Sequence, residues 1–273
     1  MRDFFYRVRK NMFFKMALLI VLAAGILLCR HLSKRLALHD KLTEMGNFRD
    51  MQVGESLLAE AAEIAGDSGI SMGRILALSF ARQGGDFPEH IPEMSKLEKT
   101  AKWVYQWCPG AYDSLEQAFC AVWDDAECFP VKCQAFYEDS WMAKRTYGGE
   151  RGHEGTDLMP PMDQSGFYPV FSMTAGTVEK MGWVEKGGYR VGIRGDCGGY
   201  FYYAHLSGYA KNLAEGDEVE AGQLLGYMGD TGYGPEGTTG QFPVHLHFGI
   251  YIQTKDGRET SVNPYWILRS LEE

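Results

Sequence analysis

Apolar and polar positions change rhythm twice along this 273-residue chain. Residues 16–29 are apolar throughout, and Met12, Phe13 and Phe14 extend the run with Lys15 as its one charge. A lysine near a helix end can snorkel, so the run is just long enough to span a bilayer core. From about residue 36 to 126, apolar residues recur at three- and four-residue spacing, the helical period. Residues 55–65 are rich in Ala, Leu and Glu, and Gly66 is expected to stop that helix. Ser71 is the expected N-cap of a helix over 72–82, and Ser95 that of one over 96–107. Ser114 with Gln117 reads as a capping box for a further helix ending near Trp123. Past Pro130 the period becomes two. Segments 171–181, 189–194 and 200–206 alternate between Gly turns, as short strands of an antiparallel sheet or sandwich do.

The expected fold is therefore an N-terminal transmembrane helix, a small α-helical region and a mainly-β C-terminal domain of antiparallel sheets, α+β and multidomain overall. The boundaries are 1–35 for a cytoplasmic tail and signal anchor, 36–130 for the helical accessory region and 131–273 for the β-rich domain.

Charge refines the picture of the N-terminus. Five basic residues precede the apolar run (Arg2, Arg7, Arg9, Lys10, Lys15) and three follow it (Arg30, Lys34, Arg35). That bias places the N-terminus inside and the body outside. No small-residue cleavage site follows the run, and Leu28 before Cys29 argues against a lipoprotein, so an uncleaved anchor is the reading. The whole chain carries −9, so the part beyond the basic terminus is more acidic still. An acidic body excludes nucleic acid as the expected partner. None of the six cysteines shows CxxC spacing, which argues against a structural zinc knuckle. Cys108, Cys120, Cys128 and Cys133 are close enough in sequence to form one or two disulfides or to be small buried thiols, and spacing does not choose between these.

The chemistry lies in the β-rich part. Its four histidines fall in three segments: His153-Glu154-Gly155-Thr156-Asp157, Tyr203-Ala204-His205-Leu206 and His245-Leu246-His247-Phe248. On a strand, residues two apart share a face, so His245 and His247 look into one cleft while Leu246 and Phe248 pack behind them. Glycines at 148, 149, 152 and 155 argue against a helix around His153, and in an extended segment the even spacing keeps Asp157 on its face. Glu154 would then point away and is not assigned as a base. Imidazole and carboxylate donors without thiolate suit a catalytic zinc with one position left open. Tyr203 stands two residues from His205 and reads as an aromatic packing residue, although a regular strand would let it line the cleft.

These segments resemble the lysostaphin/LytM-type zinc endopeptidases, which carry HxxxD, YxHL and HxH in this order and cut peptide bonds in bacterial peptidoglycan. The Gly-rich stretch 216–232 is similar too, and the resemblance covers roughly 135–265. It implies a duplicated-hybrid-motif fold, one Zn²⁺ per chain on His153, Asp157 and His247, and catalytic roles for His205 and His245. It further implies peptidoglycan peptides as substrate and hence a bacterial source, and the single anchor with its acidic body then suits an extracytoplasmic enzyme on the outer face of the cytoplasmic membrane. The stretch 233–244 is longer than is usual in the family and reads as an enlarged loop on the cleft rim. A non-enzymatic wall-binding or hydrolase-activating module of the same fold is the alternative, and a zinc-sensing domain a third. The helical region is read as a spacer or as a docking module for a protein partner.

Overall fold

The computed structural model describes residues 2–39, 46–107, 109–254 and 256–272. Helix α1, Arg2–His39, contains the apolar run. Its segment Met12–His31 has a mean hydropathy of 2.5 and none of it is buried. At about 1.5 Å per residue it is ~30 Å long, the thickness of a bilayer core.

Five helices follow: α2 Gly46–Asp50, α3 Glu55–Ser68, α4 Met72–Gln83, α5 Met94–Trp107 and α6 Pro109–Phe119, the last running into a π turn at Cys120–Asp124. Ser71 caps α4 as expected, its side chain accepting the Arg74 N–H, and Gly84 closes that helix in the left-handed conformation. Three expected helix ends are corrected. Gly66 does not stop α3, which continues to a left-handed cap at Gly69. Ser95 lies inside α5, whose first turn is anchored on the Glu93 carbonyl. Ser114 is interior to α6, which starts at Pro109, a residue whose fixed φ suits a first turn. Its hydroxyl donates to the Gly110 carbonyl one turn back. Phe48, Phe80, Phe87 and Phe119 cluster among these helices in edge-to-face and tilted contacts.

The remainder is β: β1 Lys144–Arg145, β2 Arg151–Gly152, β3 Thr156–Leu158, β4 Pro169–Phe171, β5 Gly176–Val184, β6 Gly188–Arg194, β7 Tyr200–Tyr209, β8 Glu218–Val219, β9 Leu224–Met228, β10 Leu246–Gln253 and β11 Glu259–Val262, closed by helix α7 Tyr265–Leu271. All the pairings are antiparallel. One sheet runs β11-β10-β7-β6-β5-β8, with β3 added to β10 and with β9 pairing both β7 and β4. The expected antiparallel C-terminal region is present, and the fold is α+β.

The helices and the sheet share one continuous apolar core. Arg49 donates to Ser261 Oγ at 3.0 Å, and the Asn263 amide donates to the Asp50 carbonyl at 3.0 Å. Buried Asp125 accepts the Cys197 and Gly199 N–H groups at 2.9 and 3.1 Å. A disulfide joins Cys120 to Cys197, so the bridge crosses from the helical part to the β part instead of closing within 108–133. Cys128 and Cys133 are free, and Cys108 lies outside the described residues.

Candidate active site

Strand register brings the donors together. His247 on β10 stands directly opposite Asp157 on β3, and the chain between β2 and β3 folds His153 back against both. His153 Nε2 lies 3.0 Å from Asp157 Oδ1 and 3.0 Å from His247 Nδ1, and the latter lies 2.9 Å from the same carboxylate oxygen. All three donor atoms fall within 4.8 Å of one another. His153 is buried and the other two are half-buried.

Outer contacts orient this cluster. Ser140 Oγ is 3.0 Å from His153 Nδ1. The Arg145 guanidinium donates to Asp157 Oδ2 at 2.6 Å, leaving Oδ1 to face the imidazoles. Burial alone would raise the Asp157 carboxyl, but the bonds from His153 and His247 outweigh it and hold this group far below the usual carboxylate range. Burial pushes His247 down, against the pull of Asp157.

The other two imidazoles flank the cluster. His205 Nδ1 is 2.7 Å from the Thr231 carbonyl and His245 Nδ1 is 2.8 Å from that of Pro243. A carbonyl accepts only, so each Nδ1 carries a hydrogen and each ring turns its Nε2 away from that bond. His245 Nε2 reaches to 3.8 Å from Asp157 Oδ1. The rings of His205 and His245 are 4.7 Å apart, with Phe242 against both. Burial, then the neighbouring His245, pushes His205 well below the ordinary histidine value, so it is neutral at pH 7. Leu246 and Phe248 are fully buried behind the strand, as alternation requires.

All four β-region histidines and Asp157 line one cleft of about 440 Å³. Its walls include Arg145, Arg151, Lys186, Tyr202, Tyr233, Phe242 and Tyr251. Tyr233 and Phe242 come from the long 233–244 segment, which forms the rim. Tyr203 does not face the cleft. It is fully buried, and its hydroxyl accepts the Met173 N–H at 2.7 Å. Tyr202 takes the position on the wall, its phenol pushed up to about 12 by burial. Arg145, Ser140, Thr231 and Tyr202 carry no motif that would single them out in the sequence.

Three lone-pair donors pressed to about 3 Å, one of them an anion, are stable only with a shared proton or a cation between them. Nitrogen and oxygen donors of this kind, three in number and beside an open cleft, fit a divalent metal of the zinc type. Together with the two flanking imidazoles they describe a hydrolytic centre of the peptidase class.

Comparison with known proteins gives that class a family. The model of Peptidase family M23 matches residues 151–264. A crystal structure from Ruminococcus gnavus, of a LytM protein proposed to be a glycyl-glycine endopeptidase, is 41% identical. It superposes with a TM-score of 0.76, over 87% of this chain and 95% of that one. The L-Ala–D-Glu endopeptidase of Bacillus subtilis is 44% identical over 144 residues, 52% of this chain and 42% of that protein. Lysostaphin of Staphylococcus simulans is 37% identical over 104 residues, 37% of this chain and 19% of that protein. This chain belongs to Peptidase family M23, and it spans less than half the length of either of these two relatives.

Proposed function

We propose that this chain is a membrane-anchored zinc metalloendopeptidase that hydrolyses peptide bonds in bacterial peptidoglycan. The observation that carries the reading is the convergence of His153 Nε2, Asp157 Oδ1 and His247 Nδ1 beside two imidazoles whose Nδ1 atoms are held by carbonyls. Those three residues would hold the Zn²⁺. Bound there, zinc would supply the Lewis acidity that activates water and polarises a carbonyl. His205 and His245 do the proton work. A neutral imidazole takes the proton of the attacking water, and a protonated one stabilises the oxyanion or delivers a proton to the departing amine. Arg145 orients Asp157 by holding Oδ2, which leaves Oδ1 to the imidazoles.

The endopeptidase names of the relatives support a peptide substrate. Membrane anchoring is supported by the span Met12–His31 and its flanking charges. The same charges support a body on the outer face of the bacterial cytoplasmic membrane. Residues 36–130 serve as an accessory region, suited to docking a protein partner, and 131–273 as the catalytic domain.

The test uses the full chain in detergent micelles with zinc, incubated with defined peptidoglycan and read by mass spectrometry of released fragments. Peptide fragments should appear and a chelator should abolish them. His247→Ala should lose metal and activity together, and His245→Ala activity alone. Equal loss of metal in both variants would refute the division of roles, and retained zinc without cleavage would refute the enzyme.

A further inference from the structure

The cleft holds more positive charge than the hydrolytic centre uses. Three cations line it, Arg145, Arg151 and Lys186, in a chain of net charge −9. Arg145 is engaged by Asp157. Arg151 Nε is buried with no hydrogen-bond partner. Neither Arg151 nor Lys186 has an ion-pair partner among the described residues. Arg194, by contrast, spans two carboxylates, Glu179 at 2.6 Å and Glu259 at 2.7 Å. A guanidinium N–H buried without an acceptor is costly, and in the wall of a cleft a ligand can supply that acceptor.

The placement of the two cations is specific. Arg151 stands two residues before His153 in extended chain, which puts its side chain on the same face. Lys186 lies across the cleft in the β5–β6 turn, next to Gly187, whose carbonyl accepts the His205 N–H at 2.7 Å. The cations thus bracket the centre from its metal-donor side and from its imidazole side. The phenols between them, Tyr202 and Tyr251, are both held protonated by burial and offer no negative charge. Asp157 is occupied, and Glu154 is exposed at the rim.

We infer that the cleft selects an acidic peptide: one with a free carboxylate within a residue of the cut bond, held by Arg151 with Lys186 as the second charge. The inference rests on the peptidase reading above and adds the substrate class. A lone exposed lysine would be an ordinary solvated charge. The buried, unmatched Nε of Arg151 makes the pair a binding feature.

The test compares three peptides on the zinc-loaded full chain in micelles. They differ only in the residue on the amine side of the cut bond: a γ-linked D-glutamate with its free α-carboxylate, the same residue as its α-carboxamide, and glycine. The free acid should be cleaved with a kcat/KM roughly 10- to 100-fold above the amide, the range of a charge-assisted hydrogen-bonded pair. Arg151→Gln should slow the acid alone and bring acid and amide within a few-fold, and Arg151→Lys should restore part of the preference. Lys186→Gln, at an exposed position, should reduce the preference by about 2- to 5-fold. Equal rates for acid and amide, or an Arg151→Gln variant that slows all three peptides in proportion, would overturn the inference. Failure to cleave any of the three overturns the peptidase reading instead. Calorimetric binding of the acid and amide peptides to the same protein then decides the carboxylate question, with equal affinities counting against it.

Discussion

Gly155 lies between two functional elements, which makes Gly155→Ala a sharp probe of the site. A Cβ at this position would stand 2.5 Å from the Phe248 carbonyl oxygen, 2.7 Å from His247 Cε1 and 2.9 Å from His247 Nε2. Ordinary contact needs about 3.5 Å, so something must move by most of an ångström. The Phe248 backbone is paired on both sides, to Thr156 and to Tyr203, and cannot retreat without breaking the sheet. The His247 ring is the softer neighbour. Its Nδ1 is the atom 2.9 Å from Asp157 and 3.0 Å from His153, so displacing the ring opens the donor triangle. Overpacking of this kind costs roughly 1–3 kcal/mol. If the ring absorbs it, zinc affinity falls by about 5- to 150-fold at 1.36 kcal/mol per tenfold. Competition against a chromophoric chelator measures that loss, and thermal unfolding of the metal-free protein checks that the fold survives. A folded variant that binds zinc as tightly as the parent would refute the placement of the His247 ring against Gly155, and with it the geometry of the cluster.

Further outcomes follow from other contacts. Cys120→Ser opens a bridge spanning 77 residues of chain. Unfolding stability should drop by about 4 kcal/mol in denaturant titrations, as it should for the parent under strong reductant; an unchanged midpoint in both would show that the bridge is not formed. For His205 the sign follows from its depressed folded-state pKa. Above about pH 6.5 the ring is neutral folded or unfolded and adds nothing. Below that, the unfolded chain takes up a proton the folded site resists, so the metal-free protein loses stability as pH falls from 7 toward 5. His205→Asn, which tolerates the same backbone conformation, should lose less over that interval. A parent-minus-variant difference in melting temperature that does not change with pH would refute the burial of a neutral ring.

The parts of the fold that were legible in the sequence are those governed by a local period. The two-residue repeat puts His245 and His247 on one face with Leu246 and Phe248 buried behind, and the glycines around His153 keep its segment extended. The helix interiors were legible for the same reason. Helix ends were less so, because competing contacts decide them. Gly66 is exposed in the last turn of α3, where its flexibility costs only about 1 kcal/mol and does not break the helix. Ser114 satisfies its hydroxyl one turn back and has no need to cap. The partner of Cys120 and the bond from Arg145 to Asp157 join residues 77 and 12 positions apart. Each joins separate elements, so their meeting is set by the tertiary fold and not by a repeat within one strand or helix.

Tyr202 and Tyr203 show how a break in period, rather than the period itself, completes the site. Regular alternation would pair Tyr203 with His205 on the cleft wall. His205 instead has φ 63, the left-handed region, where histidine is found more often than most side chains at a cost of order 1–2 kcal/mol. Between Tyr189 and Val191 the sheet advances two residues on β6 while β7 advances three, from Tyr203 to Leu206. This extra residue is a bulge, and bulges re-aim side chains. Its groups are satisfied: the His205 N–H donates to Gly187, and Thr231 accepts the ring hydrogen on its carbonyl while its hydroxyl donates to Leu206. Gly187 has no room for a side chain, since a Cβ there would meet the Tyr202 hydroxyl at 2.3 Å. The inversion sends Tyr203 into the core, brings Tyr202 to the wall and sets the His205 ring 4.7 Å from that of His245. Local backbone strain held by three polar contacts is the pattern of a functional position, and here it creates the pair of imidazoles to which the proposed mechanism assigns the proton transfers.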